Sequence, residues 1–166
     1  MEEEEEEEEE VITEKVEEVK YKYTFLRHEE SKSNKYGPIV GRDPILTQEG
    51  KENAKKIKGY YDYALVSIMT RTRQTFELSN INANHIEYSS LCREYRNEPA
   101  SLLKEEKQIM ESYKDFYDRI KLLKQYLIQL GEKHKTIIIV THHGVIEEIT
   151  EKSANNGEFI RTNTIF

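Results

Sequence analysis

Cysteine is nearly absent from this 166-residue chain, with Cys92 the sole example. With no second thiol an intramolecular disulfide framework is excluded, and a reducing, cytoplasmic setting is expected. Long apolar runs are missing as well. None approaches the roughly 18–20 residues that cross a bilayer, so neither a spanning helix nor a membrane partner is expected. The amino-terminal stretch is acidic rather than basic and then apolar, so a secretory leader is not expected either. Glycine (7) and proline (3) are few beside frequent Lys, Asn, Ile and Tyr, a composition that suits an AT-rich genome. Finally, the chain lacks the clustered basic face of a nucleic-acid binder, and no nucleic-acid partner is expected.

What is present fits one domain. Apolar residues make up 36 % and charged residues 34 %, with 11 Tyr and 5 Phe to supply a core. Glu2 to Glu10 form an unbroken run, and the formal charge of −7 becomes +2 once those nine carboxylates are set aside. Such a block repels itself and buries nothing, so residues 1–18 are expected to form a disordered acidic tail. Residues 19–166 are expected to form the folded domain.

Tyr21 to Leu26 reads as a strand, and Glu29 to Asp43 as a loop containing Gly37, Pro38 and Gly41. Thr47 is placed to cap a helix whose apolar side is Leu46, Ala54, Ile57 and Tyr61. Ala64–Ser67 reads as a short strand, Arg71–Leu78 as a helix and His85–Tyr88 as another strand. Apolar residues at three- and four-residue spacing from Ile109 to Leu130 predict a long helix over about Leu102–Leu130, stopped by Gly131. The β-branched run Thr136–Val140 predicts a strand buried on both faces. Gly144 to about Lys152 reads as a helix, Asn156–Gly157 as a turn and Glu158–Phe166 as a last strand. Alternating strands and helices predict an α/β fold with a mostly parallel sheet between helices.

In such sheets the chemistry sits beyond the carboxyl ends of the strands. Arg27 and His28 follow the first strand, Arg71 the second, Glu94 the third, and His142 and His143 the fourth, at a helix start. Guanidiniums and a helix N-terminus suit a phosphate, and imidazole and carboxylate supply a nucleophile and a proton donor. Cys92 reads as a small buried filler, and Lys114, Lys121 and Lys124 as a solvated helix face. Adjacent His142 and His143 point apart in extended chain, which argues against a metal pair.

Leu26-Arg27-His28-Glu29-Glu30-Ser31 with Asn34 resembles the Arg-His-Gly-Glu-Thr/Ser-x-x-Asn signature of the histidine phosphatase superfamily, the phosphoglycerate mutase-like fold. Asp43 to Gly50 is similar to that family's Asp-x-Pro-Leu-Thr-x-x-Gly loop. Ser67 to Thr75 resembles Ser-x-Leu-x-Arg-Ala-x-Gln-Thr, which selects Arg71 over Arg73. Leu91 to Glu94 resembles the Leu-x-Glu region, and Val140 to Ile146 resembles Val-Ser-His-Gly-Gly-Val-Ile. The resemblance runs from about residue 22 to 166. It implies a three-layer α/β/α sandwich and phosphoryl transfer through a phosphohistidine on His28. Glu94 and His142 then complete the catalytic set, and Arg27, Asn34, Arg71 and His143 bind the phosphate. No metal or other cofactor is implied.

Two positions depart from the family pattern. Glu29 stands in place of glycine, where a carboxylate facing the pocket would repel a phosphate. His143 replaces the glycine after the second histidine, though its backbone N–H remains available. Only 47 positions separate Glu94 from His142, too few for a long lid, and an open pocket favours hydrolysis over mutase chemistry. The expected substrate is a phosphorylated small molecule or a phosphoprotein. Phosphoglycerate mutase activity and a phosphate-binding pseudoenzyme are the alternatives.

Overall fold

A computed structural model describes residues 20–107 and 110–166. The acidic tail expected over residues 1–18, and Ile109, lie outside the described residues. Among the described residues five strands form one sheet in the order β3-β2-β4-β1-β5. Strands β1 (Tyr23–Arg27), β2 (Lys58–Ser67), β3 (Asn80–Ser89) and β4 (Ile137–Thr141) run parallel, and β5 (Phe159–Thr162) pairs antiparallel with β1. All four parallel strands therefore present their carboxyl ends at one rim.

The central strand β4 is buried along its whole length, and its alternating side chains feed two separate cores. Ile137 and Ile139, with Tyr23, Phe25 and Leu65, pack against helices α4 (Tyr113–Lys133) and α5 (His143–Thr150). Ile138 and Val140, with Leu26, Ala64 and Val66, pack with Phe76 of α3 (Thr70–Leu78) and with Ile57 and Ile81. Short helices α1 (Lys32–Tyr36) and α2 (Gln48–Ala54) are the other α-helices among the described residues. This is the three-layer α/β/α arrangement expected of the sequence.

Several boundaries differ from the sequence reading. The long helix begins at Tyr113, not near Leu102. The Ser112 hydroxyl accepts Asp115 N–H at 3.1 Å and caps it there, after a 3₁₀ turn at Pro99–Ser101 and irregular chain. Tyr113 and Tyr117, assigned to its apolar face, are exposed. Gly131 does not stop it. The helix runs on to Lys133, and a Cβ at 131 would lie 2.2 Å from the Tyr23 hydroxyl, so the glycine makes room for the strand beneath. Thr47 does cap α2, accepting Gly50 N–H at 3.0 Å, but the helix ends at Ala54 and Tyr61 belongs to β2. Strands β2 and β3 are each ten residues long, because their polar, exposed halves pair with each other and carry no apolar pattern to announce them. The last strand is only Phe159–Thr162. Within the loop after β1, Ser31 caps α1, taking Asn34 N–H at 3.4 Å.

Candidate active site

His28 follows the last residue of β1 and is 3 % exposed. Its Nδ1 lies 2.7 Å from the Glu29 carbonyl oxygen. A carbonyl oxygen only accepts, so Nδ1 carries the proton and Nε2 keeps a lone pair. Arg71 Nε donates to that Nε2 at 3.3 Å. Asn156 Nδ2 donates to the His28 carbonyl at 3.1 Å, which ties the turn after α5 to the β1 end. Burial, with Arg71 and then Arg27 beside it, holds the His28 pKa well below the usual imidazole value, although the hydrogen bond to the Glu29 carbonyl pulls the other way.

His142 ends the segment after β4 and stands edge-on to His28, ring centroids 5.3 Å apart. Its Nε2 is 2.8 Å from the Ser67 hydroxyl at the end of β2. Ser67 Oγ also accepts Met69 N–H at 3.4 Å. Nδ1 of His142 is buried with no hydrogen-bond partner among the described residues. Burial, followed by Arg71 and His28, pushes the His142 pKa well below normal. Two neutral imidazoles thus share one cationic pocket, one offering a lone pair and the other an unpaired nitrogen.

Arg71, on the first turn of α3, is 4 % exposed and donates from Nη1 to the Ala100 carbonyl at 3.0 Å. Arg27 donates from Nη1 to the Ala154 carbonyl at 3.0 Å, and its buried Nε has no partner among the described residues. Glu94 is held by two backbone amides, Tyr95 N–H at 2.9 Å on Oε1 and Gly144 N–H at 3.0 Å on Oε2. The second places its carboxylate at the N-terminus of α5, where the helix dipole favours a negative group. A Cβ at Gly144 would fall 2.3 Å from Glu94 Oε1, so only glycine lets the carboxylate come this close.

Two sequence candidates sit differently from this group. Asn34 spends its side-chain oxygen on Ser31, accepting the backbone N–H and the hydroxyl at 2.9 Å each, so only its amide NH₂ is left to meet an anion. His143 turns its ring to Ser153 Oγ at 2.9 Å and to the Glu147 carboxylate at 3.4 Å. Its ring and that of His142 have separate partners. Glu29 is 7 % exposed, and its carboxylate lies against Gly157, where a Cβ would meet Oε2 at 2.2 Å. Burial and then Glu30 raise its pKa. Its backbone N–H donates to Thr75 Oγ1 at 3.0 Å. Cys92 is fully buried and its thiol is pushed up to about 12 by that burial, so it is no nucleophile.

Sequence reading missed three supports. Ser67 stood inside a quoted motif but had no assigned role. Asn156 read only as a turn residue. Arg119 read as one more charge on a helix, yet its Nη1 donates to the Leu91 and Arg93 carbonyls at 2.8 Å each and its Nη2 to Glu94 O at 3.3 Å. The same guanidinium pairs with buried Glu111 at 3.0 Å. Nothing in the helical spacing distinguishes position 119 from its solvated neighbours.

Residues 23–157 match the histidine phosphatase superfamily (branch 1). Among solved structures, the product of a Mycobacterium tuberculosis open reading frame is 16 % identical with a TM-score of 0.61, covering 85 % of this chain and 90 % of its own. The alpha-ribazole phosphatase of Shigella flexneri is 15 % identical with a TM-score of 0.59, covering 86 % and 96 %. Phosphoglycerate mutase from Thermus thermophilus is 20 % identical with a TM-score of 0.56, covering 85 % and 88 %. At these identities the likeness speaks for the fold. No curated protein sequence matches this chain. Among the described residues no helix is long and apolar enough to cross a membrane.

Proposed function

Since the chain belongs to the histidine phosphatase superfamily, we propose that it is a phosphatase that hydrolyses phosphomonoesters or a phosphoprotein through a phosphohistidine on His28. The observation that carries this reading is the arrangement of the His28 ring: Nδ1–H is tied to a backbone carbonyl, Nε2 meets the Arg71 guanidinium, and the His142 ring stands edge-on beside it.

In the first step Nε2 of His28 attacks phosphorus and the bond to the leaving oxygen breaks. Glu94 enters this step protonated, gives that proton to the leaving oxygen as its charge develops, and is left as the carboxylate that the Tyr95 and Gly144 amides stabilise. Arg71, which donates to Nε2 in the resting site, transfers its N–H to a phosphoryl oxygen, and this exchange uncovers the nucleophile. Arg27 Nε, the one buried guanidinium nitrogen of that residue without a partner, is free to meet a second oxygen. If the Ser67 hydroxyl donates to Nε2 of His142, Nδ1 of that ring carries the proton and becomes a neutral donor to the third. Positive charge and donors set in advance around three equatorial oxygens are what phosphoryl transfer requires. In the second step Glu94 accepts a proton from water, water oxygen attacks phosphorus, and the N–P bond breaks to give phosphate and the starting ring.

Hydrolysis is favoured over mutase chemistry by what fills the interval between Glu94 and His142. That stretch contains a 3₁₀ turn and the 21-residue helix α4, whose buried residues pack on the sheet. With little chain left over to form a lid, a phosphohistidine here is less protected from water than a mutase requires. The test is release of phosphate from p-nitrophenyl phosphate without added metal, together with trapping of an acid-labile phosphoenzyme. Both should fall in His28→Ala, the turnover by at least about 10³-fold. Bisphosphoglycerate-dependent interconversion of phosphoglycerates outpacing hydrolysis would overturn the phosphatase reading.

A further inference from the structure

On the rim opposite the catalytic groups, at the amino ends of β1, β2 and β4, a cavity of about 310 Å³ is lined by three cations, Lys20, Lys58 and Arg161. Among the described residues no carboxylate lines it. None of the three belongs to an ion pair among the described residues. Arg161 pairs across the sheet with Thr24 and stacks on the Phe159 ring at 4.7 Å. Thr24 is 3 % exposed and lines the cavity. Tyr21, Tyr60 and Tyr61 form the remaining wall beside Gly59 and Thr136. Three cations without an ion-pair partner, walled by phenols, make an anion site.

The sequence supplies an anion of matching character at this spot. Lys20, which lines the cavity, is separated from Glu10 by only nine residues. Fully extended, that connection reaches roughly 30 Å, and folding it back brings any part of the Glu2–Glu10 run over the cations. Tethering makes the encounter intramolecular, which raises the effective concentration into the millimolar range. The body alone carries +2, so the nine carboxylates meet no general repulsion from it. We propose that the glutamate run docks on this basic, tyrosine-lined cavity of its own chain, as an internal polyanionic ligand remote from the phosphate site.

Amide NMR spectra of the full chain and of a variant with Glu2 to Glu10 all changed to glutamine provide the test. In about 0.02 M salt the resonances of Lys20, Gly59, Tyr60, Tyr61 and Thr136 should differ between the two, and those of His28 and His142 should coincide. In about 0.3 M salt, where screening shortens to a few ångströms, the two spectra should converge. Charge reversal in Lys58→Glu/Arg161→Glu should abolish the low-salt difference while leaving p-nitrophenyl phosphate hydrolysis unchanged. Coincident spectra in low salt would overturn the proposal. So would a difference that persists in the charge-reversed chain, or one that grows with protein concentration, which would place the run on a second copy. The outcomes that would overturn the proposal are all spectral and need no turnover, so the phosphatase reading and this one fail separately.

Discussion

At the residue scale, the proposed phosphohistidine mechanism makes the two histidines decide the pH behaviour. As the proposed nucleophile, His28 would act only with Nε2 unprotonated, and its pKa lies below the usual imidazole value of about 6.5 because of burial and the adjacent guanidiniums. Acidification from neutrality therefore leaves the nucleophile available until the pH passes that lowered value. The acidic limb of kcat/KM for p-nitrophenyl phosphate is expected below pH 6.5, and a limb centred at or above that value would contradict the burial argument. Gly144 supplies a second residue-level case. Alanine at a helix start ordinarily stabilises, by up to about 1 kcal/mol over glycine. Here its Cβ would fall 2.3 Å from Glu94 Oε1 and push the carboxylate off its two amides. Gly144→Ala should lower kcat by about 10²-fold, the typical share of a general acid, with a melting temperature unchanged or raised. A variant that kept full turnover would show that Glu94 does not need this position.

At the scale of elements, legibility followed burial. Strand β4 announced itself because both its faces are buried, so every residue from Ile137 to Val140 had to be apolar. The Arg27–His28, Ser67–Thr75 and Val140–Ile146 segments were legible because strand ends fix both spacing and residue type. The polar halves of β2 and β3 were not, since their pairing is satisfied by backbone and by side chains that face water. Nor was the chain before α4. The periodicity there extended a helix through residues that instead bring Glu106 onto Arg93 at 2.7 Å and Glu111 onto Arg119. Ion pairs between segments leave no periodic trace. Arg119 consequently joins two elements, holding the Glu94 loop by three carbonyls from the surface of α4. Arg119→Lys keeps the charge but loses the planar fork that reaches several acceptors at once. It should reduce kcat by roughly 10-fold to 10²-fold with little change in KM, read from the same phosphatase assay. An equal fall in a distant charge substitution such as Lys114→Ala would indicate a general effect of helix charge instead.

For the whole molecule, the active site and stability are linked through the same protons. His28 and His142 are held neutral by burial and nearby guanidiniums, and in the unfolded chain they regain a pKa near 6.5. Below that pH the unfolded state binds protons that the folded state refuses, so stability falls as pH falls, by up to about 1.4 kcal/mol per histidine for each pH unit. Glu106, bonded to Arg93, and Glu111, bonded to Arg119 despite its burial, have lowered pKa values and act in the same direction at lower pH. Their contribution is present above the ordinary carboxylate value and is lost as pH drops through the folded one. Glu29 opposes them, because its raised pKa makes the folded state take up a proton first, so protonation there stabilises as pH falls. The melting temperature should therefore decline in two stages, an early one beginning near pH 6.5 from the histidine pair and a later one below pH 4.5 from the paired carboxylates. Replacing both rings by asparagine (His28→Asn/His142→Asn) should flatten the early stage and spare the later one. A melting temperature that stays level from pH 7 to 5 in the unmodified chain would mean that the two imidazoles are not held neutral, and the lone pair assigned to the nucleophile would lose its physical basis.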